Sequence, residues 1–184
     1  MIWFTSDEHY YHHNILMHRG SAPQAEPQAR RFRTTDEMHL CMKKRHNEVV
    51  SPEDTVYHLG DFAYGPGAKS WQSVRDVLSK LNGKHHIILG NHDHVKPFDY
   101  LEAGFISVST SLDINIFPYG NVTLIHDPAV AGVLKDRYFI HGHTHSLGKQ
   151  LSDNTYCVCV ELHDYYPVPI TNIEFRRLLD DTGC

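Results

Sequence analysis

The sequence predicts an α/β fold whose ligand site lies just beyond the ends of its strands. Two observations carry this. Short apolar runs recur, most of them ending in a polar cluster: Ile2-Trp3-Phe4 before Asp7-Glu8-His9, Val56 to Leu59 before Gly60-Asp61, Ile87 to Leu89 before Gly90-Asn91-His92-Asp93, Val122 to Ile125 before His126, and Tyr138 to Ile140 before Gly142-His143-Thr144-His145. Between several of these runs, apolar residues fall at helical spacing. In an open α/β sheet, ligands collect outside the strand ends, where side chains from separate strands converge.

Taken in order, Met1 to Thr5 reads as a buried strand and His12 to His18 as a short helix. Gly20 to Arg33, with its prolines and its closing arginines, reads as a long surface loop. Thr34 and Glu37 have capping-box spacing, and the following residues to Val49 place Met38, Cys41, Met42 and Val49 as a helix does. Pro52 and Asp54 turn the chain into a strand, Thr55 to Leu59. Lys69 to Leu81 carries Trp71, Val74, Val77, Leu78 and Leu81 at helical spacing and stops at Asn82-Gly83. A strand follows from His85 to Leu89. Leu112, Ile114 and Ile116 alternate with polar residues, Pro118 to Asn121 turns, and Val122 and Leu124 alternate again, a hairpin pattern. Strands are expected at Tyr138 to Ile140 and Tyr156 to Leu162, and a closing helix from Ile170 to Leu179.

At 184 residues and 41% apolar, the chain, residues 1–184, fits one domain. Its apolar runs are far below the ~20 residues of a membrane span, and the N-terminus lacks a signal-peptide pattern, so a cytoplasmic protein is expected. The net charge of -5 argues against general nucleic-acid binding by phosphate neutralisation. Cys157 and Cys159 alternate on one side of an expected strand, as small apolar residues with reduced thiols. Histidine is over-represented, at 16, and dispersed beside Asp, Asn and Gly, which favours a folded metal site over a tag.

The clusters supply imidazoles, carboxylates and one amide but no thiolate, a set that suits two divalent ions. Asp7 and His9, like His143 and His145, are two residues apart and can reach one ion from just past a strand end. Glycine at 60, 90 and 142 lets the backbone turn sharply and approach a charged centre. Each cluster alone is weak, but five in order, most of them after apolar strands, are not.

The order Asp-x-His, Gly-Asp, Gly-Asn-His-Asp, His, Gly-His-x-His, from Asp7 to His145, resembles the calcineurin-like metallophosphoesterase superfamily. The text from Thr55 to Phe62 and the ending Asp164 to Val168 look like its small bacterial and phage phosphoesterases. The resemblance implies a four-layer sandwich of two mixed β-sheets flanked by helices, with a dinuclear centre. It implies that Asp7, His9 and His145 hold one ion, that Asn91, His126 and His143 hold the other, and that Asp61 bridges both. It further implies that His92 is no ligand but a general acid for the leaving oxygen. Physical chemistry agrees: two cations ~3.5 to 4 Å apart can share an acidified water that attacks phosphorus while they clamp phosphate oxygens. Asn91 offers its carbonyl oxygen to metal and its amide hydrogens to substrate, and an imidazole with a pKa of ~6.5 can give up a proton near neutrality.

One departure matters. Protein-phosphatase members follow Gly-Asp with an Asp-Arg pair, whereas here Phe62-Ala63-Tyr64-Gly65 follows, leaving the orienter of His92 unassigned. Secondary candidates are His13 as pocket lining and Arg31 and Arg33 as the phosphate grip, with a solvated basic turn as the plainer reading of the arginines. Phe62, Tyr64 and Tyr119 are weaker candidates for base stacking. The expected substrate is a phosphodiester or phosphomonoester of a nucleotide or small organic phosphate, with no membrane partner. The metal is Mn in vitro, with Fe, Zn or Ni sharing the ligand chemistry. The rivals are a nuclease acting on DNA or RNA ends, a non-catalytic metal-binding scaffold and a zinc store.

Overall fold

The computed structural model describes residues 1–17, 30, 32–131, 133–134 and 136–176. In chain order its elements are β1 (Ile2–Thr5), α1 (Thr35–Val49), β2 (Thr55–His58), α2 (Trp71–Leu78), β3 (Lys84–Ile88), α3 (Pro97–Ala103), β4 (Ser107–Ser109), β5 (Ser111–Ile116), β6 (Gly120–Ile125), β7 (Tyr138–His141), β8 (Thr155–Cys157) and β9 (Val168–Pro169). One sheet runs β4-β3-β2-β1-β9 and the other β5-β6-β7-β8. Both are mixed: β1 to β4 are parallel with β9 antiparallel at the edge, and β6 to β8 are parallel with β5 antiparallel.

Period-2 alternation sorts the strands into layers. In β3, Ile88 joins Phe4 and Leu59 against Val122, Leu124 and Ile140 of the second sheet. Its neighbour Ile87 turns the other way, toward Met38 and Met42 of α1, Val74 and Val77 of α2 and Tyr100 of α3. In β7, Phe139 packs outward with Ile125 and Ala131 while Ile140 faces the other sheet. The sheets therefore lie face to face, with the helices outside the first. Parallel strands bring the C-terminal ends of β1, β2 and β3 together, and those of β6 and β7 likewise.

Local signals hold where they are strong. The Thr34 hydroxyl caps α1 by accepting from the Glu37 N–H at 3.1 Å, and the hairpin pairs Leu112 with Leu124 and Ile114 with Val122. Four expectations are corrected. The segment after Tyr11 is a 3-10 turn, His13–Met17, with His18 outside the described residues. The helix Lys69 to Leu81 shortens to Trp71–Leu78, because Ser70 caps it through the Ser73 N–H. The strand Tyr156 to Leu162 ends at Cys157 and gives way to a 3-10 turn, Val160–His163. The closing helix is absent over 170–176: after a turn at Ile170–Asn172, Ile173 and Phe175 are buried at period two. Residues 177–184 lie outside the described set.

A polar chain runs through the core beneath β1 and β2. Glu8 Oε1 lies 2.6 Å from His58 Nδ1, His58 Nε2 3.0 Å from His85 Nδ1, and His85 Nε2 3.4 Å from Leu81 O. Burial raises Glu8 to about 8 and lowers His58 to about 3 and His85 to about 2. A neutral Glu8 donating to a neutral His58, which donates onward, satisfies every link of this chain.

Candidate metal centre

Every polar cluster sits in a loop leaving a strand end: Asp7 and His9 after β1, Asp61 after β2, Asn91 to Asp93 after β3, His126 directly after β6, and His143 and His145 after β7. The backbone there is bent hard. Asp7, His9, Asp61, His143 and His145 all have positive φ, between 45° and 70°, a left-handed conformation that costs a non-glycine residue about 1–2 kcal/mol and clusters at functional sites. Three glycines make room, Gly90 among them, where an added Cβ would meet Asp61 Oδ1. A Cβ on Gly142 would overlap the Ser6 hydroxyl and fall 2.6 Å from Asp7 Oδ2, and Gly60, at φ +93°, packs against the His126 ring.

Asp7 is fully buried and held by one oxygen. Its Oδ2 accepts from the Ser6 hydroxyl, the His143 N–H at 2.9 Å and the Cys159 thiol at 3.0 Å. Oδ1 has no hydrogen-bond partner, and neither does His9 Nε2, although both are buried. Oδ1 lies 3.9 Å from His9 Nε2 and 3.6 Å from His145 Nε2, and ligand atoms of the three residues all fall within 4.8 Å of one another. Burial, then the charge of Arg30, holds His9 well below the usual histidine range, so its ring offers a lone pair.

A second donor set lies alongside. Asn91 Oδ1 is 3.0 Å from His126 Nε2 and 3.0 Å from His143 Nδ1, and the two ring nitrogens are 3.2 Å apart. His126 Nδ1 is 2.8 Å from Leu59 O; donating there leaves Nε2 an acceptor, so acceptors crowd together as ligand atoms do around a cation. Asp61 stands between the sets, with Oδ2 3.6 Å from His9 Nε2 and 3.5 Å from His126 Nε2, while Oδ1 accepts the His92 N–H at 2.8 Å. Burial raises the Asp61 carboxyl, and His126 acts against it.

Three supporting residues lay outside the expected roles. Arg30, 3% exposed, donates to the Asp7 and Glu8 carbonyls, the latter at 2.7 Å, and pairs with Glu161 at 2.7 Å. Glu161 Oε1 in turn lies 3.0 Å from His145 Nδ1, leaving Nε2 for the centre. Burial would raise Glu161, but Arg30 and His145 outweigh it and hold it at about 2. Burial likewise opposes charge on His145, yet Glu161 lifts that ring to about 9, so a cation at Nε2 would displace a proton. The third is Asp93. It does not orient His92: its carboxylate accepts the N–H groups of Asp61, Phe62 and Gly90 and the Tyr100 hydroxyl, clamping two strand-end loops together.

The secondary candidates scatter. His13 is exposed and bound to Thr35 at 3.1 Å; the buried His12 instead packs 5.2 Å from His9 and 6.4 Å from His92, measured between ring centres. Arg33 is exposed at the start of α1, its N–H donating to Glu37, and Arg31 lies outside the described residues. Tyr64 meets the His92 ring edge-on at 4.4 Å, whereas Phe62 is core and Tyr119 packs on Phe175. Cys157 and Cys159 do share one side, their sulfurs 3.2 Å apart, but Cys159 is a donor to Asp7 as well as filler. Asp164 fixes a turn, accepting from Arg45 at 2.9 Å.

The orphaned Oδ1 of Asp7, the orphaned Nε2 of His9 and the acceptor cluster at Asn91 fit divalent metal. A family model described as calcineurin-like phosphoesterase matches residues 1–181. The chain is 30% identical over 146 residues to an uncharacterized protein of Methanocaldococcus jannaschii, covering 79% of this chain and 69% of that one. It is 31% identical over 170 residues to the Gene 66 protein of Mycobacterium phage L5, covering 78% and 77%. The crystal structure of a protein of unknown function from Aquifex aeolicus matches with a TM-score of 0.67 at 26% identity, covering 91% of this chain and 94% of that one.

Proposed function

The chain belongs to the calcineurin-like phosphoesterase family and is a metal-dependent phosphoester hydrolase, and from that premise we propose that it cleaves a small organic phosphoester, a nucleotide ester in the first instance, at a centre of two divalent ions. Asp7, His9 and His145 would hold one ion, Asn91, His126 and His143 the other, and Asp61 would touch both. The observation that carries this is the place of Asp61 Oδ2, about equally far from His9 Nε2 at 3.6 Å and His126 Nε2 at 3.5 Å, on the seam between two donor sets. Bound there, divalent ions supply Lewis acidity toward phosphoryl oxygens and acidify water. Manganese is the metal to load in vitro, since imidazole, carboxylate and amide oxygen suit it and no thiolate is among the ligands.

The chain's own groups do the rest. Asp61 keeps its carboxylate fixed because Oδ1 is tied to the His92 N–H. Asn91, its oxygen turned to the histidines, has amide hydrogens left for a phosphate oxygen. His92 stands beside the centre, its ring 5.5 Å from that of His9 and edge-on to Tyr64. Burial lowers its pKa, which makes the protonated ring a stronger acid toward a leaving oxygen. Diesters are favoured over phosphoproteins because Phe62 to Gly65 lack the Asp-Arg element of protein phosphatases.

Leaving-group dependence tests the role of His92. His92→Ala should retain metal and most of its rate on bis-p-nitrophenyl phosphate, whose leaving group needs no proton, yet lose about 10²–10⁴-fold on an alkyl ester. Equal losses on both would refute general acid catalysis by His92.

A further inference from the structure

Beside His126 and His143 lies an open cleft of about 520 Å3 that the metal ligands do not fill. Three of its lining residues, Asn91, His126 and His143, are the donor set of the second ion site. A phosphate at the centre therefore has one of its ester arms next to this space.

We propose that the cleft seats that arm, and that the arm is an uncharged, nucleoside-sized organic body, so that the enzyme acts on nucleotide esters and not on polynucleotide chains. The inference rests on the phosphoester hydrolase reading of the centre and names its substrate class.

Size is the first argument. Clefts of roughly 300–1,000 Å3 hold small organic ligands, whereas a bare phosphate or methyl ester leaves such a space in water. The walls are the second. Leu89, Ile125, Leu134 and Phe139 give apolar contact, and Thr110, Ser111 and the side of Arg137 complete the wall. That mixture suits an aromatic base or sugar with a hydrogen-bonding edge.

Charge is the third argument and decides against a polymer. Among the described residues Arg137 is the one lysine or arginine lining the cleft, and it is already engaged: Nη1 lies 3.3 Å from Asp113 Oδ2 and 3.3 Å from Thr123 Oγ1. Asp127 adds a negative charge to the wall. A groove that tracks a nucleic-acid backbone is positive along its length, and among the described residues this one is not. Thr110 and Ser111 line it instead with uncharged polar residues, which suit the edge of a neutral heterocycle.

The test compares thymidine 5′-(p-nitrophenyl phosphate) with methyl p-nitrophenyl phosphate on the Mn2+-loaded protein. Both release the same phenolate, so they differ only in the retained arm. The thymidine ester should show a KM about tenfold lower. Leu134→Asp and Arg137→Ala, both at partly exposed positions, should raise that KM about tenfold and leave kcat/KM for the methyl ester unchanged. Equal KM values, or variants that shift both esters alike, would overturn the inference. So would a single-stranded oligonucleotide of about ten nucleotides cleaved with a higher kcat/KM than the thymidine ester. Should metal-loaded protein turn over no ester, the hydrolase reading fails and binding still decides the cleft. Thymidine 5′-monophosphate must then bind about tenfold more tightly than methyl phosphate and lose that margin in Leu134→Asp; equal affinities refute the inference.

Discussion

Because Asp7 Oδ2 is already occupied by Ser6, Cys159 and the His143 N–H, only Oδ1 is left to face a cation, and the aim of the first donor set depends in part on Ser6 and Cys159, which belong to neither donor set. Glu161 does for His145 what these donors do for Asp7. Removing such outer partners typically costs 10- to 100-fold in metal affinity. Glu161→Ala should therefore weaken Mn2+ binding within about that range by calorimetric titration, and Glu161→Gln, which keeps an acceptor for Nδ1, should recover part of it. Unchanged affinity in Glu161→Ala would show that His145 is held by other means. Arg30 carries a heavier load, since its loss leaves the buried Glu161 carboxylate with His145 as its remaining cationic partner and takes a donor from two carbonyls. We expect Arg30→Ala to destabilise the metal-free protein by about 3–5 kcal/mol in urea; a change below about 1 kcal/mol would mean that Glu161 finds water instead.

At the scale of elements, each strand is short and its following loop is bent sharply, so the site depends on loops passing very close to one another. Gly142 is the tightest passage. Gly142→Ala must push Ser6 or Asp7 aside, and overpacking of this kind costs about 1–3 kcal/mol; the variant should also bind Mn2+ more weakly than wild type. Tight binding by a stable Gly142→Ala protein would show that the loop has slack. The sequence makes these strand ends visible because apolar runs and polar clusters alternate within a few residues of one another. It does not reveal β4 and β9, whose three and two residues are too few to show a period. α3 carries Pro97 at its first turn and Gly104 in the left-handed cap, a start and stop that its seven residues did not make conspicuous. After Asn172 the expected helix gives way, over the described residues, to an extended segment in which Ile173 and Phe175 are buried at a period of two, Phe175 against Tyr119 and Tyr138. Arg30 and Glu161 were invisible for another reason, since they are 131 positions apart and only folding joins them.

Across the whole molecule, several histidines apart from the candidate ligands lie in the core, and these have consequences for stability. Burial holds His46, His58 and His85 at about 4, 3 and 2, whereas in the unfolded chain they protonate near ~6.5. The unfolded state therefore binds more protons below that pH, and the stability these residues permit, complete above about 6.5, is lost as pH falls. Glu8 works oppositely: raised to about 8, it stabilises the fold at low pH and loses that contribution as pH rises through 8. Three such groups against one give, from these four residues, a net loss of stability as pH falls from about 6 to 4.5. Urea denaturation of metal-free protein at pH 7 and pH 5.5 checks the sign, and greater stability at the lower pH would contradict it.

Whether Asp61 joins two ions in one centre is tested most directly by electron paramagnetic resonance of the Mn2+-loaded protein, with metal analysis of the same sample. We expect two Mn2+ per chain and an exchange-coupled spectrum that disappears in Asp61→Ala. One ion per chain with the spectrum of an isolated Mn2+, or a coupled spectrum that survives Asp61→Ala, would contradict the account.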